Sequence, residues 1–254
     1  MAGNSKKPKV SIVIPARNEE KHITECISSV KRQTTSFPYE ILVIDNASID
    51  STAKIAESLG TKVVFEKRKG LSFARQKGLD CAKGEFIVYI DADTRLPEDW
   101  ISYMIGYLEE HPRLVGASCS FHFYDGKPMD GVGVFFFKQI VIPIASLLVR
   151  TFKRTDIIFG WAFVVRANAL RKAGGINKKF IFYGEDTGIA YRLRSQGRVK
   201  FLKNKYALIS ARRYQQKGIK KFSIIFDWTI FVLMLLGMHK EAEQISKAYL
   251  FSKK

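Results

Sequence analysis

The stretch FIVYIDADTRLPEDW (residues 86–100) runs five mostly apolar residues into two aspartates, Asp91 and Asp93, and then into a turn. A short apolar run bounded by turn residues is the mark of a buried strand. Open α/β sheets take their ligands just beyond the carboxyl ends of such strands. Two carboxylates at that place could hold Mg²⁺ or Mn²⁺, directly or through water, and leave positions open for a diphosphate. Asp91 could equally accept hydrogen bonds from ribose hydroxyls. Both acids could also do no more than finish a strand and begin a turn, so the flanking sequence has to decide.

Toward the amino terminus, KVSIVIP reads as a β-branched strand, followed by a helix in which Ile23, Cys26, Ile27 and Val30 recur at helical spacing. EILVID (40–45) is a second strand, SIDSTAKIAESLG a helix with Ser and Asp starters and Gly60 as its stop, and KVVFE a third strand. A helix through LSFARQKGLDCAKG leads back into EFIVYI. Strands alternating with helices of this length imply parallel βαβ crossovers and an α/β sheet. Pro15 to Asn18, Asp45 with Asn46, and Asp91 to Asp93 then share one sheet edge. Toward the carboxyl terminus, LVGASCSFHF and GWAFVVR look like strands, ANALRKAGG like a short helix, and GEDTGIAYRLRSQG like a helix that opens on acids and closes on Gly197. Two apolar stretches remain, 131–149 and 222–238, and there is no internal repeat.

With 254 residues, 46% of them apolar, the chain can build one sizeable core or a domain with an appendage. The polar, basic first eight residues and the short apolar run after them fit neither a signal peptide nor a membrane span, so residence in the cytosol is the default expectation. Cys26, Cys81 and Cys119 lack CxxC or His pairing and are expected to act as small core residues. Net charge is +18, and residues 187–226 hold no acid while basic residues run from Arg192 to Lys221. Such a block seeks anions: nucleic acid, acidic headgroups or phosphorylated small molecules. No recognisable nucleic-acid module accompanies it.

Several smaller constellations bear on chemistry. A proline-led turn after the first strand would free backbone groups for a planar base, and Asp45 could accept from a base N–H. Asn18 is expected to cap the following helix, and Asp45 could simply satisfy its own turn. Arg75 and Lys77 stand in the first turns of a helix, where cations oppose the dipole, which hints at an anion nearby. Glu185 and Asp186 open a helix, where carboxylates are favoured whatever their role, yet one there could take a proton from an acceptor hydroxyl.

The ordered set SIVIPARNEE, ILVIDNASIDST, LSFARQKGL, GEFIVYIDADT, GWAFVVRANALRKAGGI and GEDTGIAYRLRSQGRVKF, spanning roughly residues 9–205, resembles the family 2 glycosyltransferases. That resemblance implies an inverting enzyme of the GT-A fold, an α/β nucleotide-binding mixed sheet flanked by helices. It implies that Pro15, Ala16, Arg17 and Glu19 line the nucleotide pocket and that Asp45 contacts the base. Arg75 matches the basic residue of the family's ARN segment, with Gln76 here in place of Asn. Asp91, Ala92 and Asp93 match the DxD element that holds the ribose and, through Mn²⁺ or Mg²⁺, the diphosphate, Asp93 being the more direct ligand. Asp186 matches the base, Glu185 would support it, and Trp161 falls where acceptor contacts occur, although a Trp in a core strand is an equal reading.

The expected organisation is a flexible stretch 1–8, a GT-A domain 9–212 and a C-terminal apolar, basic and helical appendage 213–254. The expected partners are a UDP- or GDP-sugar, a sugar, lipid-linked or polyprenyl phosphate acceptor, and a membrane surface. Residues 222–238 contain Asp227, which is costly at bilayer depth, so an interfacial helix on the cytoplasmic face suits them better than a span. Lys138 and Pro143 argue against an unbroken span in 131–149. A sugar nucleotidyltransferase and a nonenzymatic polyanion- or membrane-binding protein are the alternatives.

Overall fold

The computed structural model describes residues 7–126, 137–153, 156–178 and 185–212, together with 241 and 244. In chain order the elements are β1 (Val10–Ala16), α1 (Ile23–Lys31), β2 (Tyr39–Asp45), α2 (Thr52–Ser58), β3 (Lys62–Phe65), α3 (Leu71–Cys81), β4 (Phe86–Ile90), α4 (Trp100–Glu110) and β5 (Leu114–Phe123). A π-helical turn, Phe137–Val141, then runs into α5 (Ile142–Lys153), followed by β6 (Ala162–Arg166), α6 (Ala167–Lys172), α7 (Glu185–Leu193) and β7 (Arg198–Ile209). The strands form one sheet in the order β3-β2-β1-β4-β6-β5-β7. The first four are mutually parallel, β6 runs antiparallel to both β4 and β5, and β7 is parallel to β5.

Alternation along the strands feeds two cores, one on each face. Val10, Ile12 and Ile14 of β1 pack with Ile23, Ile27 and Val30 of α1 and with Trp100, Met104 and Leu108 of α4. Val13, with Ile87 and Tyr89 of β4, packs on the other face with Leu79 of α3, Leu170 of α6 and Leu193 of α7. Helix α3 lies so close to β1 that a methyl group at Gly78 would come within 2.2 Å of Val13 Cγ1. A glycine inside that helix, unfavourable by propensity, is the condition for this approach.

Three expectations change. Strand β1 does not stop before a proline-led turn: it continues through Pro15 and Ala16, in register with Ile44 and Asp45. Pairing with β4 ends at Val13, so the missing N–H of Pro15 falls past that ladder. Asn18, at φ 55°, does not cap α1; its Oδ1 accepts from Ile49 N (2.9 Å) and ties the β1 loop to the β2 loop. The basic block is not a uniform free face either. Arg192 donates to Gly174 O (2.9 Å), Arg194 to the Tyr191 hydroxyl (2.7 Å), Lys205 pairs with Asp99 (2.5 Å), and Arg212 faces acids of the site.

Of the apolar stretch 131–149, the described part is the π turn and α5, with Pro143 in the first helical turn, where its lost N–H costs little. Ile142, Ala145, Ser146 and Val149 are buried, whereas Ile140, Ile144 and Leu148 are exposed and Leu147 is 62% exposed. Asp156, itself buried, fastens this helix: it accepts from the Ser146 hydroxyl, Arg150 Nε (2.9 Å) and Phe201 N (3.1 Å) of β7. Among the described residues no helix is long and apolar enough to cross a membrane. The expectations for 1–6, for 222–238 and for nearly all of the appendage 213–254 lie outside the described residues.

Candidate active site

The carboxyl ends of β1, β2 and β4 meet at one edge, as parallel strands with helical crossovers require. Pro15 and Ala16 are buried in β1 and Arg17 is exposed just beyond it. The backbone N–H of Glu19 donates to Thr52 Oγ1 (2.7 Å), which fixes this loop against α2. Asp45 ends β2 nearly buried and accepts from Ser48 N (3.3 Å). Its neighbour Asn46 donates to Glu66 O (3.1 Å) and Arg68 O (2.7 Å) and accepts from Gly70 N (2.7 Å), so it sets the loop that opens α3.

Asp91 and Asp93 stand at the end of β4, with Ala92 buried between them. Asp91 N donates to Trp161 O (3.1 Å), which joins this end to the entry of antiparallel β6. Each acid has its own guanidinium. Arg75, with no exposed surface, donates to Asp91 Oδ1 (3.1 Å) and to Gly160 O (2.7 Å). Arg212, 38% exposed, approaches from the other side: its Nε lies 2.8 Å from Asp93 Oδ2, and its second nitrogen reaches Glu19 Oε1 at 2.5 Å.

The acid opening α7 joins the same cluster. Gly160 N donates to Asp186 Oδ2 (2.9 Å), and Thr187 N to its Oδ1 (2.7 Å). A methyl group at Gly160 would lie 3.2 Å from Arg75 and 3.3 Å from Asp186, so the absent side chain lets acid and guanidinium share one place. Glu185 is the first residue of α7; its side chain lies outside the described part. Trp161 is pinned, with its Nε1 on Cys119 O (3.0 Å) and its ring stacked on Phe159 at 4.3 Å. Its ring also meets Phe121 at 5.0 Å in an edge arrangement.

Burial is the main cause that pushes the Asp91 carboxyl up to about 6; Arg75 opposes the rise, and Asp93 and Asp186 add to it. Burial also raises Asp186, against the pull of Arg75 and two backbone N–H groups. Glu19 is raised for the same reason, and its Oε2 is buried without a partner among the described residues. Among the described residues four carboxyl groups, Glu19, Asp91, Asp93 and Asp186, gather about two guanidiniums, a balance that suits a divalent cation.

Among the described residues no three His, Cys, Asp or Glu side chains are arranged to hold a metal ion by themselves. Two strand-end aspartates fit a hard cation that takes its remaining oxygens from a diphosphate and water. That a guanidinium already bridges Asp93 and Glu19 shows that positive charge is accommodated there.

Sequence reasoning brought Pro15, Asp45, Asn46, Asp91 and Asp93 to this edge, and the family resemblance assigned Glu19 to the nucleotide pocket and Asp186 as the base. It read Arg75 as a cation awaiting an anion in the nucleotide pocket, but with no exposed surface this residue holds Asp91 and the Gly160 carbonyl from behind. It missed Gly160 and Arg212. The one signal for Arg212 was the acid-free block that contains it, which reads as diffuse charge until the last strand is placed.

The chain matches the description Glycosyl transferase family 2 over residues 11–173. It is similar to EpsH of Bacillus subtilis (33% identical over 129 residues, 48% of this chain and 37% of that protein). It is also similar to the dolichol-phosphate mannosyltransferase of Pyrococcus furiosus (35% over 102 residues, 38% of this chain and 29% of that protein). The matched part is thus less than half the length of either relative. Among solved structures, the mannosyltransferase PcManGT from Pyrobaculum calidifontis, in complex with GDP-Man and Mn²⁺, superposes with a TM-score of 0.63. It does so at 21% identity over 91% of this chain and 63% of that one, a likeness of fold.

Proposed function

Since the chain belongs to glycosyl transferase family 2, we propose that it moves a sugar, with inversion and metal dependence, from a UDP- or GDP-sugar onto an acceptor hydroxyl or a polyprenyl phosphate. The observation that carries this reading is the cluster in which Asp91, two residues from Asp93 at the end of β4, meets Asp186 around Arg75 and Gly160. In it one acid pair faces the donor and one acid faces the acceptor. The sugar nucleotidyltransferase and the nonenzymatic binder give way to the family match.

In this reading Mn²⁺ or Mg²⁺, when bound, neutralises charge growing on the leaving diphosphate. Asp93 holds that ion, Asp91 orients the ribose and diphosphate, and Asp45 accepts from the base. Pro15, Ala16, Arg17 and Glu19 wall the nucleotide. Asp186, held by the N–H groups of Gly160 and Thr187, takes the proton from the acceptor hydroxyl as it attacks from the face opposite the diphosphate. One displacement needs one base and no enzyme nucleophile. Glu185 supports that base and Trp161 offers its ring to the acceptor.

The catalytic unit is placed at 9–212, on the cytoplasmic face of a membrane. Two observations favour this: the exposed Ile144, Leu147 and Leu148 of α5, and a relative named for dolichol phosphate, a lipid-linked acceptor. A phosphate acceptor arrives already anionic, so Asp186 would matter less for it than for a hydroxyl.

A panel of UDP-, GDP- and dTDP-sugars with Mn²⁺, scored by thermal stabilisation and release of nucleoside diphosphate, tests the reaction. Release of pyrophosphate, or no turnover with any donor, would refute it. Partition onto anionic liposomes tests the location: Leu147→Glu and the double change Lys220→Glu, Lys221→Glu should each weaken it, and unchanged partition in both would refute it.

A further inference from the structure

The two aspartates of the β4 edge differ in how their cations are held. The partner of Asp91 comes from inside: Arg75 is wholly buried and also engaged by the Gly160 carbonyl, so it is a fixed part of the site. The partner of Asp93 comes from the rim. Arg212 is more than a third exposed, and its guanidinium is shared between Asp93 and Glu19.

The main chain beneath Arg212 is anchored independently of the two ion pairs its side chain makes. Asp125, past the end of β5, accepts from Ala211 N and from the Ser210 hydroxyl, both at 2.5 Å, and Ser210 Oγ in turn accepts from Arg212 N (3.2 Å). Tyr124 donates its hydroxyl to Asp93 O (3.1 Å), so the aspartate's backbone is held by the same rim. A swing of the guanidinium therefore needs side-chain rotation only. Glu19 remains a tether, because its bond to Arg212 does not involve Asp93.

We propose that Arg212 is an internal counter-cation for the donor site: it occupies Asp93 while the site is empty, and yields it when metal and nucleotide arrive together. This rests on the reading of Asp93 as the metal-holding acid. The exchange conserves charge pairing. Asp93 trades a guanidinium for a divalent ion, and the guanidinium, still tethered by Glu19, moves onto a diphosphate oxygen, a better partner for a planar fork than water. Metal alone would have to displace Arg212 without offering it a new anion. Metal binding and nucleotide binding are therefore coupled, and the coupling passes through one side chain. The same device keeps two neighbouring acids, Glu19 and Asp93, from facing each other unpaired between turnovers.

The test measures affinity and not turnover. Free Mn²⁺ is titrated by electron paramagnetic resonance against the full chain and against Arg212→Gln, first without nucleotide. UDP and GDP are then titrated calorimetrically in saturating Mn²⁺. The variant should bind Mn²⁺ alone roughly tenfold more tightly, and should bind the nucleoside diphosphate that the native chain prefers roughly tenfold more weakly, each about one charge-assisted contact. Arg212→Lys, which keeps the charge without the fork, should fall between the two on both readings. Adding Asp93→Asn to Arg212→Gln should abolish the gain in Mn²⁺ affinity.

A melting curve within a few degrees of native establishes that Arg212→Gln folds; should it not, the lysine variant carries the comparison. Mn²⁺ affinity that is unchanged or weaker on removal of the guanidinium overturns the proposal, even though the native chain still binds Mn²⁺ with UDP or GDP. If the native chain binds neither nucleotide with Mn²⁺, the donor-site reading itself fails, and that result differs from the first.

Discussion

Arg75 has no exposed surface, yet it holds Asp91 and the Gly160 carbonyl, and Gly160 holds Asp186. Arg75→Met should leave the half-buried Asp91 carboxylate without this partner and lower stability by at most about 3 kcal/mol, the low end for a broken buried pair, because Asp91 keeps contact with water. Denaturant unfolding checks this; Arg75→Lys should recover little, since an ammonium cannot fork to both partners. Asp186→Asn should cut turnover onto a hydroxyl acceptor by roughly 10²–10⁴ with donor affinity nearly unchanged. In its proposed role as base Asp186 works deprotonated, and since burial raises it, kcat/KM should rise with pH through an acid limb displaced upward from that of a solvated aspartate. At this scale the sequence made the acids legible, since paired acids at a strand end and at a helix start stand out locally. Gly160 and Arg212 did not stand out, because what they touch lies far away along the chain: Arg212 reaches Asp93 and Glu19, and Gly160 reaches Arg75.

Helix α5 is tied to β7 by one buried carboxylate. Asp156→Ala removes the acceptor for Ser146, Arg150 and Phe201 N at once, and should cost on the order of 3 kcal/mol, with faster amide exchange at Phe201 and along α5. Leu147→Gln on the opposite face should change stability by less than about 0.5 kcal/mol. The parallel half of the sheet was readable because its strands are short apolar runs separated by amphipathic helices. Strand β7 was not: between Leu202 and Tyr206 it carries extra residues against Cys119 and Ser120, which breaks the two-residue period, and Lys205 is buried within it. Helix α4 escaped for a different reason. Trp100 and Ile101 follow the acids so closely that the helix start was absorbed into the turn after Asp93.

The whole molecule should respond to pH in two opposite ways. Asp91 titrates at about 6 in the folded chain, above its value when unfolded, so its ionisation costs stability. The donor-free protein should therefore grow more stable as pH falls from 7 toward 5. Glu66 is held by Arg68 down to about 2, below its unfolded value of 4.5, so its contribution is present above that value and is lost as pH falls toward 2. Stability should peak on the mildly acid side of neutrality, and Asp91→Asn should shrink the rise between pH 7 and 5, to which the raised Asp186 and Glu19 also contribute, while sparing the fall below 4.5. Thermal melts across pH 3–8 decide it.

The antiparallel insertion of β6 beside β4 sets Ile90 opposite Ala162, with the next step closed by the bond from Asp91 N to Trp161 O. The two halves of the proposed chemistry are thus spaced by a ladder rung, like jaws riveted to a common plate. Loops on either side are free to lengthen, shrink or change their cargo from one descendant to the next while the gauge between bond broken and bond made stays the same.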